Sequence, residues 1–261
     1  MKQIIKNLFY KKNRYIFRTT AINDLYDFLN MIKPIHCGHD LIRMGGYQDG
    51  GYLVPNDLGG ISACFSPGVS DTAEFELALN QMGIKCFLAD YSVAESPVKN
   101  ALIDFEKKYL GPIDNEIFMT LNSWVKEKYP EEGDLVLQMD IEGAEYGVIF
   151  DSSEELLKKF RVLVIEFHGL DNLIQKAGFE LINLAFIKLL KNFSIAHIHP
   201  NNCQKTKTYK NIEIPPVMEF TFLRNDRVAS RAAINNFPHA LDIKNVPSKE
   251  DITLPECWWK M

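Results

Sequence analysis

The sequence lacks the features that mark membrane proteins and disulfide-bonded secreted proteins. No apolar run approaches the ~18 residues that a membrane-spanning helix requires. The five cysteines are odd in number, and none forms a Cys-x-x-Cys pair; they are Cys37, Cys64, Cys86, Cys203 and Cys257. Scattered cysteines of this kind are typical of reduced thiols that pack inside a protein. We therefore expect a cytoplasmic protein without a transmembrane segment.

The chain also lacks an excess of positive charge. The net charge of −5 gives no basis for nucleic-acid binding, which depends on basic residues that neutralise phosphates. The first 23 residues are an exception, with six Lys or Arg and no acidic residue, but no signal-peptide core or cleavage site follows. We predict a basic helical extension over residues 1–40, either a plain arm or a docking surface for an anionic ligand or membrane face.

The middle of the chain alternates short apolar runs with helical patterns, which indicates βαβ units and a mostly parallel sheet. Strands are expected at residues 61–68, 84–90, 116–120, 135–140 and 161–169, followed by an antiparallel pair at 193–199 and 217–225. Helices are expected between them, one capped by Asp71 and another over 96–111. The pattern predicts a three-layer α/β domain at 41–225, with 226–261 as an irregular C-terminal segment packed on it.

Ligands in such sheets bind beyond the carboxyl ends of the strands. The first strand ends at Gly68, where a ligand can approach the backbone, and the helix N-terminus that follows offers N–H groups to a carboxylate. The second strand ends in Asp90. A carboxylate about 20 residues after the first turn often binds a ribose hydroxyl pair, although a strand-ending Asp is also a common turn former.

The later strands end in carboxylates, imidazoles and amides. Asp140 and Glu142 follow the fourth strand, and Glu145 falls in the first turn of a helix, where the helix dipole favours negative charge. The remaining polar strand ends are Glu166, His168, His197, His199, Asn201 and Asn202. Imidazole and carboxylate together suit either general acid–base chemistry or a divalent metal. A single histidine at such a place is more often a hydrogen-bonded core residue.

A glycine-rich stretch, GGYQDGGYLVP at residues 45–55, precedes the first strand. It lacks the G-x-G-x-x-G spacing of a dinucleotide turn, and it lies before a strand rather than after one. The stretch predicts a β-hairpin with an Asp-Gly turn. The alternative is a lid or wall over a cofactor.

Several of these segments occur together in a known family. TLNSW at 120–124 followed by LVLQMDIEGAE resembles the FkbM-type methyltransferases, and GGYQDGGYLVP followed by FSPGVSDTAEFE resembles one branch of them. The resemblance extends over about residues 40–225. It implies a class I (Rossmann-like) methyltransferase fold, a seven-stranded sheet whose last strand is antiparallel, and S-adenosylmethionine as cofactor. SPGVSDT departs from the fuller D-x-G-A-N-x-G turn of the family.

The resemblance implies roles for the polar strand ends. Asp90 would hold the ribose, the first turn would hold the amino acid moiety with help from Asp49, and Asp140 would lie near the reacting methyl. The complete cofactor set is Asp49, Gly50, Gly51, Ser66, Gly68, Ser70, Asp71, Asp90, Tyr91, Asp140, Ile141 and Glu142. His168 is the expected general base, with His199 in reserve.

The same residues leave room for a divalent ion. Glu166 either orients His168 or joins Asp140 and His168 around a metal that would lower the pKa of an acceptor hydroxyl. His197, Asn201 and Asn202 are expected to contact the acceptor, as is the Lys-rich loop QKTKTYK unless it is only a solvated hairpin.

The function that these features predict is S-adenosylmethionine-dependent O-methylation of a carbohydrate hydroxyl, on a nucleotide-linked sugar or a capsular or other polysaccharide. Three alternatives stay open: a metal-dependent hydrolase or transferase, a nicotinamide-linked dehydrogenase, and a non-catalytic scaffold of the same fold. A small-molecule or sugar partner is expected, and homo-oligomerisation is left open.

Overall fold

The structure is a computed structural model that describes residues 16–261, and its centre is a seven-stranded sheet. Along the sheet, the strands lie in the order β6-β5-β4-β9-β10-β14-β11, and β14 is antiparallel to both of its neighbours while the others are parallel. The sheet strands are β4 (Ile61–Pro67), β5 (Lys85–Ala89), β6 (Ile103–Glu106), β9 (Asp134–Met139), β10 (Phe160–His168), β11 (Phe193–Pro200) and β14 (Val217–Arg224). The predicted Rossmann-like methyltransferase fold is therefore confirmed, including its antiparallel last strand.

The other strands form short two-stranded pairs around this sheet. They are β1 (Ile35–His36) with β15 (Ala232–Ala233), β2 (Leu41–Met44) with β3 (Tyr52–Pro55), β7 (Tyr109–Leu110) with β8 (Phe118–Met119), and β12 (Lys207–Tyr209) with β13 (Ile212–Ile214). The α-helices are α1 (Ile22–Met31), α2 (Glu74–Gln81), α3 (Leu121–Lys128), α4 (Glu145–Asp151), α5 (Glu154–Leu157) and α6 (Lys176–Leu190). Among the described residues, no helix has both the length and the apolar character needed to cross a membrane.

One face of the sheet is covered by helices that bury large aromatic side chains. Phe28 of α1 and Phe186 of α6 meet edge to face at 5.4 Å, and Trp124 of α3 packs the same way on Phe65 of the sheet at 4.9 Å. All four side chains are buried. Each such burial contributes roughly 1.5–3 kcal/mol, so this layer holds the central strands in place.

The TLNSW segment has a structural role at the start of α3. The Thr120 hydroxyl accepts a hydrogen bond from the backbone N–H of Ser123 at 3.1 Å, which is an N-cap. The carboxylate of Asp114 accepts further bonds from Thr120 N and Ser123 Oγ. Such caps satisfy N–H groups that the helix itself leaves free.

The opposite face is covered by α2 and the β2–β3 hairpin. The residues 45–51 connect the hairpin strands, as the Asp-Gly pattern predicted, with Met44 paired to Tyr52. Thr221 in the middle of β14 donates its hydroxyl to Leu53 O at 2.7 Å, which fastens the hairpin to the sheet. The predicted capping of α2 by Asp71 is wrong, because the helix begins at Glu74 without a side-chain cap.

The predicted helix over 96–111 is also wrong. Its centre is β6, which pairs in parallel with β5 and extends the sheet. The carboxylates of Asp104 and Glu106 lie 3.3 and 2.6 Å from Lys128 Nζ of α3. Ile103 and Phe105, at the alternate positions, pack against the hydrophobic core on the other face of the sheet. Alternation of this kind suits a strand that has a neighbour to pair with, and only the sheet provides that neighbour.

The C-terminal segment contacts the domain at several points. Trp258 is buried and donates its indole N–H to Glu213 O at 2.9 Å. The side chain of Asn202, at the end of β11, donates to Val246 O and accepts from Val246 N. The domain boundaries at residues 40 and 225 stay a prediction, and residues 1–15 of the predicted basic extension lie outside the described residues.

Candidate active site

A cavity of about 580 Å³ opens at the carboxyl ends of β4, β5 and β9. This volume lies in the usual range of small-molecule sites, roughly 300–1,000 Å³. Its lining includes nine of the residues expected to bind the cofactor, which are Asp49, Gly50, Gly68, Ser70, Asp71, Asp90, Asp140, Ile141 and Glu142. The hairpin residue Asp49 forms part of the wall, so the glycine-rich stretch is both a hairpin and a wall of the cavity.

Gly68 is the point where three strand ends meet. Its N–H donates to Ala89 O at 2.9 Å, and the N–H of Asp140 donates to Pro67 O beside it. Gly68 has φ +87°, and a Cβ at this position would lie 1.5 Å from Asp140 O. Only glycine fits such a conformation and such a close approach. The single glycine that the turn retains is therefore the one that the backbone requires.

Asp90 closes the cavity wall by joining two loops. Its carboxylate accepts hydrogen bonds from Ser70 N at 2.9 Å, and from Ser92 N and Ser92 Oγ at 2.7 Å each. Ser70 adopts a left-handed conformation with φ +46° in order to reach it. A carboxylate has about four acceptor positions, so Asp90 retains capacity for one further donor.

His168, at the end of β10, is surrounded by carboxylates. Its Nδ1 lies 3.1 Å from Glu145 Oε1. Nε2 lies 3.4 Å from Glu142 Oε2, 3.5 Å from Glu166 Oε1 and 3.9 Å from Asp140 Oδ1. Burial lowers the pKa of His168, but the hydrogen bond and charge of Glu145 outweigh it, and the net pKa is raised.

Glu145 was not among the site residues that the sequence predicted. It begins α4 as expected, but its side chain is fully buried rather than exposed at a helix end. The Oε1 atom accepts bonds from Gly143 N at 3.0 Å and Ile141 N at 3.3 Å in addition to the contact with His168. The charge is thus held by backbone donors and by the imidazole, and it orients the ring.

Glu166 and Glu219 form a buried carboxyl pair on neighbouring strands, where they are directly opposite each other. Asn201 donates to both oxygens of Glu166 at 3.2 Å, and Asn245 donates to Glu219 at 2.6 Å. Sequence reasoning missed Glu219. The available signal was an acidic residue inside the mostly apolar run VMEFTFL.

Crowding and burial keep several of these carboxyls from ionising easily. Burial raises the pKa of Asp140 to about 7, and the charge of Asp49 adds to the shift while His168 opposes it. Burial likewise raises the pKa of Glu219 to about 8 against the hydrogen bond from Asn245. The pKa of Glu166 is raised in the same way, by burial and then by Asp140. The cluster therefore either retains protons near neutral pH or is suited to a bound cation.

The remaining predicted residues lie elsewhere. Ser66 is buried behind the cavity, where its hydroxyl contacts Glu76 and donates to Gln138 at 2.6 Å. Gly51 and Tyr91 do not line the cavity. His199, the reserve base, lies in a separate cluster with His197 and Asp242. The loop QKTKTYK runs into the β12–β13 hairpin, in which Thr208 bonds Glu213.

Comparison with known proteins finds a similarity in part of the chain. Curated proteins returned no match to it. Residues 118–198 match the family model described as the methyltransferase FkbM domain. This range runs from the start of β8 into β11, and it includes Asp140, Glu145, Glu166 and His168. The resemblance inferred from TLNSW and DIEGAE is therefore confirmed over residues 118–198, which are similar to the FkbM methyltransferase domain.

Proposed function

We propose that the protein is an S-adenosylmethionine-dependent O-methyltransferase that acts on a carbohydrate hydroxyl. The observation that supports this best is the placement of His168. A buried carboxylate, Glu145, holds one ring nitrogen, and the other faces Asp140 and Glu142, which line the cavity. An imidazole held in this way suits a general base.

The residues of the cavity fit the cofactor. S-adenosylmethionine, when bound, supplies an electrophilic methyl group on a positively charged sulfur. The carboxylates of Asp49, Asp140 and Glu142 favour a cation, and Asp90 retains an acceptor position for a ribose hydroxyl. Gly68 lines the cavity and adds no side chain of its own to the first turn, so the amino acid end of a ligand can approach the backbone there.

His168 would take the proton of the acceptor hydroxyl. Because Nδ1 is engaged by Glu145, Nε2 is the nitrogen available to accept it, and Glu145 stabilises the imidazolium that results. The raised pKa makes the ring a stronger base. It also reduces the fraction of unprotonated ring at acidic pH, so activity should rise with pH through the pKa of His168.

A divalent ion at Asp140, Glu166 and His168 is a second way to activate the hydroxyl. Their ligand atoms lie within 4.8 Å of one another. Asp140 Oδ1 is buried and has no hydrogen-bond partner among residues 16–261, which is what an absent cation would leave. Such an ion would be held by these three residues and would lower the pKa of the acceptor hydroxyl. Unchanged activity after exhaustive chelation would exclude it.

The acceptor is proposed to lie on the side of Asp49. Its carboxylate lies within 4.8 Å of those of Glu166 and Glu219, so it joins the cavity to the buried carboxyl pair. Asn201 and Asn245 bond the same carboxyls. Carboxyl and amide groups in this density offer the paired donors and acceptors that sugar hydroxyls use.

Two measurements test the proposal. Calorimetry with S-adenosylmethionine and with NAD should give binding of the first and none of the second; the reverse would favour a dehydrogenase. A mass-detected screen of sugar nucleotides and oligosaccharides should then reveal an acceptor that gains one methyl group. The protein could instead bind the cofactor, methylate none of the sugars and methylate another hydroxyl compound. That result would support methyltransferase activity and reject a carbohydrate as the acceptor.

A further inference from the structure

A second cluster of metal-ligating side chains lies at the edge of the sheet and shares no residue with the His168 site. His197 and His199 alternate along β11, and Asp242 reaches them from the C-terminal segment. His197 Nε2 lies 2.8 Å from Asp242 Oδ1, and His199 Nδ1 lies 3.6 Å from the same oxygen. One carboxylate oxygen therefore faces two imidazoles.

His199 has no hydrogen-bond partner for either ring nitrogen among the described residues, although it is only 5% exposed. Buried polar groups in folded proteins are nearly always paired, and an unpaired one costs about 1–3 kcal/mol. The other oxygen of Asp242 is already engaged by the N–H of His239 at 2.8 Å. A group that satisfies His199 must therefore come from outside residues 16–261.

We infer that His197 Nε2, His199 Nδ1 and Asp242 Oδ1 bind a divalent transition-metal ion, with Zn²⁺ as the best fit to two imidazoles and one carboxylate. Tetrahedral coordination with bonds of about 2.0–2.1 Å places neighbouring ligand atoms about 3.4 Å apart. The two observed separations, 2.8 and 3.6 Å, lie on either side of this value. A small outward movement of His197 would complete three ligands and leave the fourth position for water.

Such a site would fasten the C-terminal segment to the sheet. Three residues after Asp242, Asn245 bonds both Glu219 at 2.6 Å and Asp49 at 3.1 Å. A metal at Asp242 would therefore hold in place the segment that contacts the wall of the cavity. The inference does not depend on methyl transfer, because it concerns ligands and chain contacts only.

The test uses the full-length protein after chelation and dialysis, titrated with Zn²⁺ by calorimetry and analysed for bound metal. The wild type and the control variant His36→Ala, which removes an exposed histidine, should each bind Zn²⁺ at this site. His199→Ala and Asp242→Asn should lose one equivalent, whereas Asp140→Asn should retain it. Zn²⁺ should also slow proteolysis of residues 226–261 in the wild type.

X-ray absorption of the zinc-loaded wild type provides a readout that needs no variant to fold. The site proposed here requires two imidazoles per zinc, whereas the Asp140, Glu166 and His168 cluster supplies one. Two imidazoles would support the inference. One imidazole per zinc, a zinc content in His199→Ala equal to that of the wild type, or no bound zinc at all would overturn it.

Discussion

Glu145 Oε1 lies 3.1 Å from His168 Nδ1, although the two residues are 23 positions apart in the chain. One begins a helix after β9, and the other ends β10. Parallel neighbouring strands bring their carboxyl ends together, so the pair forms at one edge of the sheet. The order of the strands in the sheet therefore brings the proposed base, His168, next to the carboxylate that orients it.

Glu145→Gln should reduce kcat by about 10²-fold or more, because His168 loses the carboxylate that stabilises its protonated form. The loss of that charge also lowers the pKa of His168, so the acid limb of the kcat/KM–pH profile should move to lower pH. Glu142→Gln is the matched control. Its carboxylate lies 3.4 Å from Nε2 but is 88% exposed, so the shift should be much smaller. An unchanged profile in Glu145→Gln would contradict the role assigned to Glu145.

Gly68→Ala should destabilise the fold and abolish cofactor binding, since the new Cβ would collide with Asp140 O at 1.5 Å. Gly83→Ala is the control, because Gly83 has a similar φ of +79° with nothing within 4 Å of the added Cβ. The control should lower the free energy of unfolding by about 1–2 kcal/mol, because of its backbone conformation alone. Gly68→Ala should lower it by more than twice as much. Equal losses in urea unfolding would show that the contact is unimportant.

Asp90→Asn should weaken S-adenosylmethionine binding by about 10- to 100-fold, because hydrogen bonds to a charged group contribute roughly 1.5–3 kcal/mol. Ser92→Ala removes one hydroxyl donor to Asp90 and leaves the carboxylate in place. Its dissociation constant should stay within about 3-fold of the wild type. Calorimetry of both variants measures the difference. Similar affinity in Asp90→Asn and wild type would remove Asp90 from the cofactor site.

Stability should fall as the pH rises from about 5 to 8. The pKa of Glu219 is raised to about 8 in the folded protein, so between its unfolded pKa and this value the folded state binds more protons than the unfolded state. The stabilisation that protonated Glu219 gives to the folded state is complete at pH values below the pKa of Glu219 in the unfolded chain. It is lost as the pH rises through the pKa of Glu219 in the folded protein. Asp140, with a pKa raised to about 7, acts in the same direction.

Glu219→Gln should therefore flatten the dependence of Tm on pH and raise stability at pH 8 by about 1–3 kcal/mol. Glu213→Gln is the control, since Glu213 has a lowered pKa and contributes no slope in this window. A Glu219→Gln variant that is less stable than wild type at pH 8 would indicate that the carboxylate is ionised and paired, for example with a cation.

The spacing of apolar residues along the chain predicted much of the fold, because apolar residues are the ones that become buried. The buried runs at residues 61–67 and 160–168 are too apolar to lie anywhere but inside the sheet, and the Asp-Gly turn at 49–50 closed the expected hairpin. The stretch 96–111 was misassigned. Its apolar residues fit both a helical and a strand spacing, and hydrogen bonding to β5 favoured the strand.

The amino-acid sequence alone determined the α/β class and the polar residues that follow each strand. Among these are Asp140 after β9 and His168 at the end of β10. Both follow from local features, namely the periodicity of apolar residues and the residue types at strand ends. Only the tertiary structure decided that Glu145 is buried against His168, that Glu219 lies beside Glu166 and that Asp242 meets two histidines. Each of these contacts joins residues that are 23 or more positions apart in the chain. The contact between Glu166 and Glu219 also requires that β14 lie antiparallel beside β10. Burial and proximity of charges are properties of the packed chain, and no local pattern encodes them.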